Sequence, residues 1–152
     1  MNIKITDIKD TKLENVEVYL NSDAPYQETF FEWAASPLTA KFNSSEISGG
    51  VLTCWHHTYT FNEVEYHVDK EMFYFTQGTA IMLFVDQKAG AVDMSTAQMV
   101  RIPAGTQIII GAGKAHFVSI AEDNTPLNIV VVSPKMDAPR YTLPETVTGI
   151  YL

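Results

Sequence analysis

Short segments in which apolar and polar residues alternate dominate the chain and predict β-strands. No window of a dozen residues keeps the 3.6-residue apolar period of a helix. Gly and Pro turns separate the segments, and strands this short favour an all-β barrel or sandwich. The predicted strands lie at 3–8, 16–20, 38–42, 51–60, 71–76, 79–85, 98–102, 106–110, 116–120 and 127–132.

The 152 residues are enough for one structural domain, 1–152. Within it, residues 1–48 are expected to form N-terminal strands or an arm that packs on the barrel or on a dimer partner. Residues 49–152 are expected to form the barrel and a C-terminal tail. The stretches 21–25 and 61–63 are predicted turns. The aromatic segment at 30–33 indicates a homodimer.

Composition and charge limit the functions that the chain can have. The apolar fraction of 46% is that of an ordinary globular protein, and the formal net charge is -8. This charge argues against a nucleic-acid or anionic-membrane surface as partner. Cys54 is the single cysteine, and no apolar run approaches the roughly 20 residues of a membrane span. The first residues lack the apolar core of a signal peptide, so a cytoplasmic protein is expected.

The chemistry is concentrated where two predicted strands meet. Glu65 and His67 are two residues apart, so on one strand they share a face. Glu71 opens the next strand, on the same side as Phe73 and Phe75. Polar groups that face an apolar interior are unfavourable unless something binds them. A divalent metal is the simplest such partner.

Two segments resemble the two motifs of the cupin superfamily. The first is His67-x3-Glu71-x6-Gly78, and the second is Gly105-x5-Gly111-x-Gly113-x2-His116. The resemblance covers residues 50–132 and implies a cupin-type β-barrel, or double-stranded β-helix, with an N-terminal extension. Glu65 stands where the family has its first histidine, Tyr59 where it has a glycine, Gly111 where it has proline and Ile120 where it has asparagine.

By this resemblance the metal ligands would be Glu65, His67, Glu71 and His116. Two carboxylates and two imidazoles favour Mn²⁺ or Fe²⁺, with Zn²⁺ and Ni²⁺ as further candidates. Glu65 has alternative roles: it could be a catalytic base instead of a ligand, or a surface carboxylate paired with Lys70 or Arg101.

Four other residues are candidates for contacts with a small-molecule substrate. His56 could act as an acid or base, with packing in the barrel wall as the alternative. Arg101 and Lys114 could neutralise a substrate carboxylate, with a solvated surface position as the alternative. Phe73 could shape the pocket.

The segment 71–78, followed by an apolar strand and by Ile102-Pro103-Ala104-Gly105, is similar to the ureidoglycolate lyase branch of the cupins. That similarity implies a metal-dependent lyase that acts on a small hydroxy acid or ureide and releases urea. The chain departs from the branch at Lys114-Ala115-His116, where the branch has a His-His pair. The alternatives are a non-catalytic cupin that binds a small metabolite, and a cupin isomerase or dioxygenase.

Overall fold

The computed structural model describes residues 1–20 and 26–152, and these residues are almost entirely β-structure. A short 3-10 helix at Ile8–Asp10 follows the first strand. The predicted turn at 21–25 lies outside the described residues. The strands are β1 (Asn2–Asp7), β2 (Val16–Tyr19), β3 (Tyr26–Gln27), β4 (Glu32–Trp33), β5 (Ile47–Cys54), β6 (Thr60–Glu65), β7 (Glu71–Gln77), β8 (Thr79–Lys88), β9 (Ala91–Pro103), β10 (Gln107–Ile110), β11 (Ala115–His116), β12 (Ile120–Ala121), β13 (Leu127–Pro134) and β14 (Arg140–Ile150).

Six strands close into a barrel in the order β6-β14-β1-β9-β8-β11, because β11 pairs with both β8 and β6. Strand β1 is parallel to both of its neighbours, and the other pairs are antiparallel. Strand β12 adds to β8. Apolar side chains of these strands form one buried cluster, the barrel core: Ile5, Phe61, Val64, Ile81, Leu83, Val85, Met99, Ala115, Ile120, Leu143 and Val147.

A second sheet of five antiparallel strands, in the order β2-β10-β7-β13-β5, packs on the outside of β8 and β9. Alternate residues of β8 face the two sides, with Ile81 and Leu83 in the barrel core and Met82 and Phe84 between the sheets. This double coverage explains the unbroken apolar run at 79–85. The cluster between the sheets, the inter-sheet core, includes Phe73, Phe75, Ala80, Met82, Phe84, Val100, Ile102, Ile108, Ile110, Leu127 and Ile129.

The prediction of an all-β fold built on a closed barrel is confirmed by this strand arrangement. Four local predictions are wrong. The strand predicted at 51–60 ends at Cys54, and the turn predicted at 61–63 belongs to β6. No strand forms at 38–42, and the strand predicted at 116–120 is interrupted at 117–119 between β11 and β12. Strand β6 exists because Phe61 and Val64 are buried in the barrel core and β14 pairs with it, which outweighs the turn preference of Asn62.

Both long strands of the N-terminal region pair within the chain, β1 with β14 and β9 and β2 with β10. Strands β3 and β4 form a separate hairpin whose aromatic residues Phe30, Phe31 and Trp33 are exposed. Packing of this arm on a dimer partner stays a prediction. Among the described residues, none of the helical structure is long and apolar enough to cross a membrane.

Adding a methyl group at Gly149 should destabilise the barrel, because a Cβ there would lie 2.1 Å from Met99 Sδ and 3.0 Å from Ile5 Cδ1. Overpacking of this kind costs about 1–3 kcal/mol. At Gly50, in β5, a Cβ meets no atom within 4 Å, so Gly50→Ala should be neutral or stabilising by up to about 1 kcal/mol. Urea denaturation of both variants measures the difference, and equal free energies of unfolding would contradict this packing of the barrel.

Candidate metal centre

Four polar side chains from three segments converge at the edge of the inter-sheet core. Glu65 ends β6, Glu71 begins β7, and His67 lies in the loop between them. His116 of β11 is paired with Glu65 on one side and with Phe84 on the other. Because Val64 and Ala115 face the barrel core, their neighbours Glu65 and His116 face the opposite side. Alternation along the strands therefore directs Glu65, Glu71 and His116 to one place, and His67 joins them from the loop.

The separations within this cluster are those of donor atoms around one ion. Glu71 Oε2 lies 2.9 Å from His116 Nε2 and 3.2 Å from His67 Nε2. Glu65 Oε1 lies 3.8 Å from His67 Nε2, and the ligand atoms of Glu65, His67 and His116 all lie within 4.8 Å of one another. Two donors that are each about 2.1 Å from a metal lie about 3.0–3.4 Å apart at octahedral or tetrahedral angles. The separations between Glu71 Oε2 and the two nitrogens match this range, whereas Glu65 lies farther from His67 and would have to move closer to join the same ion.

Backbone carbonyls fix the orientation of both imidazoles. His67 Nδ1 lies 3.1 Å from the Asp137 carbonyl oxygen, and His116 Nδ1 lies 2.9 Å from the carbonyl oxygen of Lys114. A carbonyl only accepts hydrogen bonds, so each Nδ1 carries a proton and donates it. In the neutral ring Nε2 then has a free lone pair, which is the usual arrangement of a metal-binding histidine.

Three atoms of the cluster are buried without a hydrogen-bond partner within the described part of the chain: His67 Nε2, His116 Nε2 and Glu71 Oε2. Glu71 Oε2 faces both nitrogens at ion-pair distance, so a proton on either nitrogen would be its partner in the absence of a metal. Buried polar atoms that remain unpaired cost about 1–3 kcal/mol each. A divalent cation would satisfy all three, so the residues fit a metal.

The charges of the cluster are strongly coupled. Burial lowers the pKa of His67, but the carboxylates of Glu65 and Glu71 outweigh burial and raise that pKa to about 10. Burial also raises the pKa of Glu71, whereas His116 and His67 lower it more and bring it to about 2. Without a metal, therefore, protonated His67 supplies part of the positive charge that balances the two carboxylates. A metal and this proton compete for the same nitrogen.

The cluster has an apolar inner side and a more open carboxylate side. The rings of Phe73 and Phe84 lie 6.2 and 6.4 Å from the His116 ring, measured between centroids. The side chains of His116 and His67 are 2% and 6% exposed, against 12% for Glu71 and 18% for Glu65. A ligand from solvent would therefore approach over the two carboxylates.

The other predicted site residues have different partners. His56 is exposed in the loop after β5, and its Nδ1 lies 2.9 Å from the Ala121 carbonyl oxygen. Ala121 pairs with Ala80, which is four residues, or about 13 Å, along β8 from Phe84. His56 therefore does not join the cluster.

The two candidate cations also form ion pairs outside the cluster. Arg101 donates from Nε and Nη2 to both carboxylate oxygens of Glu122, at 2.7 and 2.9 Å. The Lys114 ammonium is buried and pairs with Asp86, so the solvated surface position considered for this residue is wrong. The structure brings Glu65, His67, Glu71 and His116 together with Phe73 at their edge, and it places Arg101, Lys114 and His56 elsewhere.

Sequence reasoning missed the carbonyls of Asp137 and Lys114 that orient the imidazoles. A backbone carbonyl gives no residue-type signal, because every residue carries one. Asp86, the partner of Lys114, was missed as well, because the contact depends on pairing between β8 and β11.

Comparisons with known proteins find similarity among solved structures. The chain matches no protein-family model and no curated protein. Among solved structures it is similar to oxalate decarboxylase from Bacillus subtilis. A structure of that enzyme at pH 4.6 is 20% identical with a TM-score of 0.45, and one studied for its Mn(II) centres is 18% identical with a TM-score of 0.46. Each match covers 64% of this chain and 24% of the enzyme. The fold assignment therefore depends on the strand order and not on these superpositions.

The metal-free protein should lose stability as the pH rises from 6.5 to 10. The raised pKa of His67 means that its ion pairs contribute fully below the ordinary value of 6.5 and are lost as the pH approaches 10. The lowered pKa of Glu71 works in the opposite direction, so its contribution is present above 4.5 and lost toward pH 2. Thermal melts in the presence of a chelator should therefore fall on both sides of the range from pH 4.5 to 6.5.

His67→Gln should flatten the alkaline side of this profile, because it removes the group that titrates there. His57→Gln is the matched control, since His57 is exposed and its Nδ1 lies against the Thr58 carbonyl oxygen. If His67→Gln loses thermal stability between pH 6.5 and 10 as steeply as the wild type does, the loss does not come from His67.

Proposed function

We propose that this protein is a metal-dependent enzyme of the cupin type that acts on a small substrate bearing hydroxyl and carboxylate oxygens. His67, Glu71 and His116 would hold a divalent metal, with Glu65 as a fourth ligand or as a base. The observation that supports this most strongly is the convergence of three buried donor atoms for which residues 1–20 and 26–152 provide no hydrogen-bond partner. Unpaired polar atoms that meet in a buried site make the folded state less stable unless a cation binds them.

The donor set indicates which metal to expect. Two imidazoles and two carboxylates are harder than the three imidazoles and one carboxylate of the cupin pattern. Harder donors favour Mn²⁺ or Fe²⁺, while Zn²⁺ and Ni²⁺ remain compatible with the nitrogens. With neutral rings the cluster carries two negative charges, which a divalent ion balances.

The residues divide the chemistry between them. A metal in this site would supply Lewis acidity toward a substrate oxygen. Glu65 is the most exposed of the four side chains and lies farther from His67 than Glu71 does, which suits a base that takes the proton of a substrate hydroxyl. Phe73 and Phe84 keep water from the inner side of the site. Glu65 would take the hydroxyl proton while the carbonyl forms and the C–N bond breaks, and would pass the proton to the departing nitrogen. This is a lyase reaction, and urea release from ureidoglycolate belongs to this class.

A second candidate function is binding of a small metabolite without turnover. The observation that favours it is the filling of the inner side of the cluster by Phe73 and Phe84, which leaves an approach over the carboxylates only. An isomerase or dioxygenase would use the same ligands and differ in substrate. Turnover assays with hydroxy acids, ureides and sugars separate these functions from one another.

The purified protein should contain about one divalent metal ion per chain, and His116→Ala should lose it. Ligand loss removes a bond that no neighbouring side chain replaces, so metal content should fall at least tenfold. His57→Ala, an exposed histidine away from the cluster, should keep full metal content. Elemental analysis of both variants and the wild type gives the answer. Equal metal content in wild type and His116→Ala would refute the proposed site.

Glu65→Gln distinguishes the two roles of Glu65. If Glu65 is the base, the variant keeps its metal and loses turnover by about 10²–10⁴-fold, the usual contribution of general base catalysis. If it is a ligand, metal content falls together with turnover. Glu63→Gln is the matched control, because Glu63 lies two residues away in the same strand and pairs with exposed Arg140. Ureidoglycolate and a panel of hydroxy acids serve as substrates, and a metal-loaded wild type that turns over none of them would contradict the lyase proposal.

A further inference from the structure

Lys114 is a buried lysine two residues before His116, and its ammonium lies outside the proposed metal centre. Its side chain is 1% exposed, and its ammonium pairs with the carboxylate of Asp86, which is 34% exposed. Lysine is almost never this buried without a partner, because the unpaired ammonium is strongly disfavoured. The ion pair therefore fixes where Lys114 lies.

The backbone of Lys114 contacts the proposed metal ligands. Its carbonyl oxygen accepts the hydrogen bond from His116 Nδ1 at 2.9 Å. Its N–H donates to the Gly111 carbonyl at 3.1 Å and closes a turn over residues 111–114. In the same turn, the Gly113 N–H donates to the His67 carbonyl at 2.9 Å. Gly113 has a φ of 79°, the left-handed conformation that favours glycine. The 111–114 turn thus touches both histidines.

Strand β8 holds the 111–114 turn with two consecutive side chains. Asp86 binds the Lys114 ammonium, and Gln87 Nε2 donates to the Gly113 carbonyl at 2.7 Å. The register between β8 and β9 shifts between Phe84 and Asp86. Such irregularities change the direction of nearby side chains, and here Asp86 and Gln87 both reach the 111–114 turn.

We propose that Asp86 is a positioning residue for the metal centre. Through Lys114 it holds in place the carbonyl that orients His116, so that Nε2 faces Glu71. Asp86 touches neither the metal site nor a substrate, and it lies 30 positions from His116 in the sequence. This inference rests on the proposed function, since it assigns a supporting residue to that metal centre. Residues that orient a ligand in this way typically change metal affinity by 10–100-fold when replaced.

The test measures Co²⁺ affinity by its visible absorption in four full-length variants: Asp86→Asn, Lys114→Met, the double variant and Glu122→Gln. Asp86→Asn and Lys114→Met should each weaken Co²⁺ binding by about 10–100-fold and alter the absorption spectrum. The double variant should bind no more weakly than the weaker single variant, because both substitutions remove one contact. Glu122→Gln breaks the Arg101 ion pair, which does not involve the 111–114 turn, and should leave affinity and spectrum unchanged.

Two results would overturn the proposal, with all variants measured well below their melting temperatures. One is an unchanged Co²⁺ affinity in Asp86→Asn together with a lowered Tm, which means that the ion pair serves stability alone. The other is additivity of the two single substitutions. Should Asp86→Asn fail to fold, Lys114→Met tests the same contact without leaving an unpaired buried ammonium.

Failure of the proposed function gives a different result. A wild type that binds no Co²⁺, Mn²⁺, Fe²⁺, Zn²⁺ or Ni²⁺ refutes the metal centre itself. Positioning is then measured by NMR on the Nδ1 proton of His116. This proton should exchange slowly in wild type and Glu122→Gln and rapidly in Asp86→Asn. Slow exchange in Asp86→Asn as well would overturn the proposal.

Discussion

The organisation of this protein depends on one unfavourable arrangement: two imidazole nitrogens and a carboxylate oxygen are buried at a single point, and the described part of the chain offers them no partners beyond one another. The fold makes the arrangement rigid instead of avoiding it. Carbonyls of Asp137 and Lys114 fix the two rings, and alternation along β6, β7 and β11 aims the side chains. Proteins rarely keep such groups unpaired, so their persistence here indicates a cation as the missing partner.

The two hydrophobic cores differ in how close they lie to the proposed metal centre. The barrel core is closed by the ring of six strands and does not contact the cluster, whereas the inter-sheet core ends at it through Phe73 and Phe84. Strand β8 belongs to both cores, since its alternate residues face opposite sides. The apolar wall behind His116 and the anchor of the 111–114 turn therefore come from the same strand.

The sequence predicted the parts of this structure that depend on local order. Alternation placed Glu71 on the side of Phe73 and Phe75, and the motif spacing predicted that His67 and His116 bind the same metal. Contacts set by distant strand pairing were not accessible. Lys114 and Arg101 were considered as substrate cations because nothing local in the sequence reveals Asp86 or Glu122 as their partners. The loop after Cys54 was predicted as strand because Trp55, Thr58 and Tyr59 are strand formers, and local propensity does not show where pairing ends.

The position of β1 has a consequence for how the chain is synthesised. Strand β1 completes the barrel only between β9 and β14, and it is parallel to both. Residues 2–7 thus leave the ribosome well before residues 140–150 and have no β14 partner until those residues have followed. Pairings between such distant segments slow folding. Until then the apolar residues Ile3 and Ile5 lack their barrel neighbours, and exposed apolar surface beside an unpaired strand edge favours aggregation.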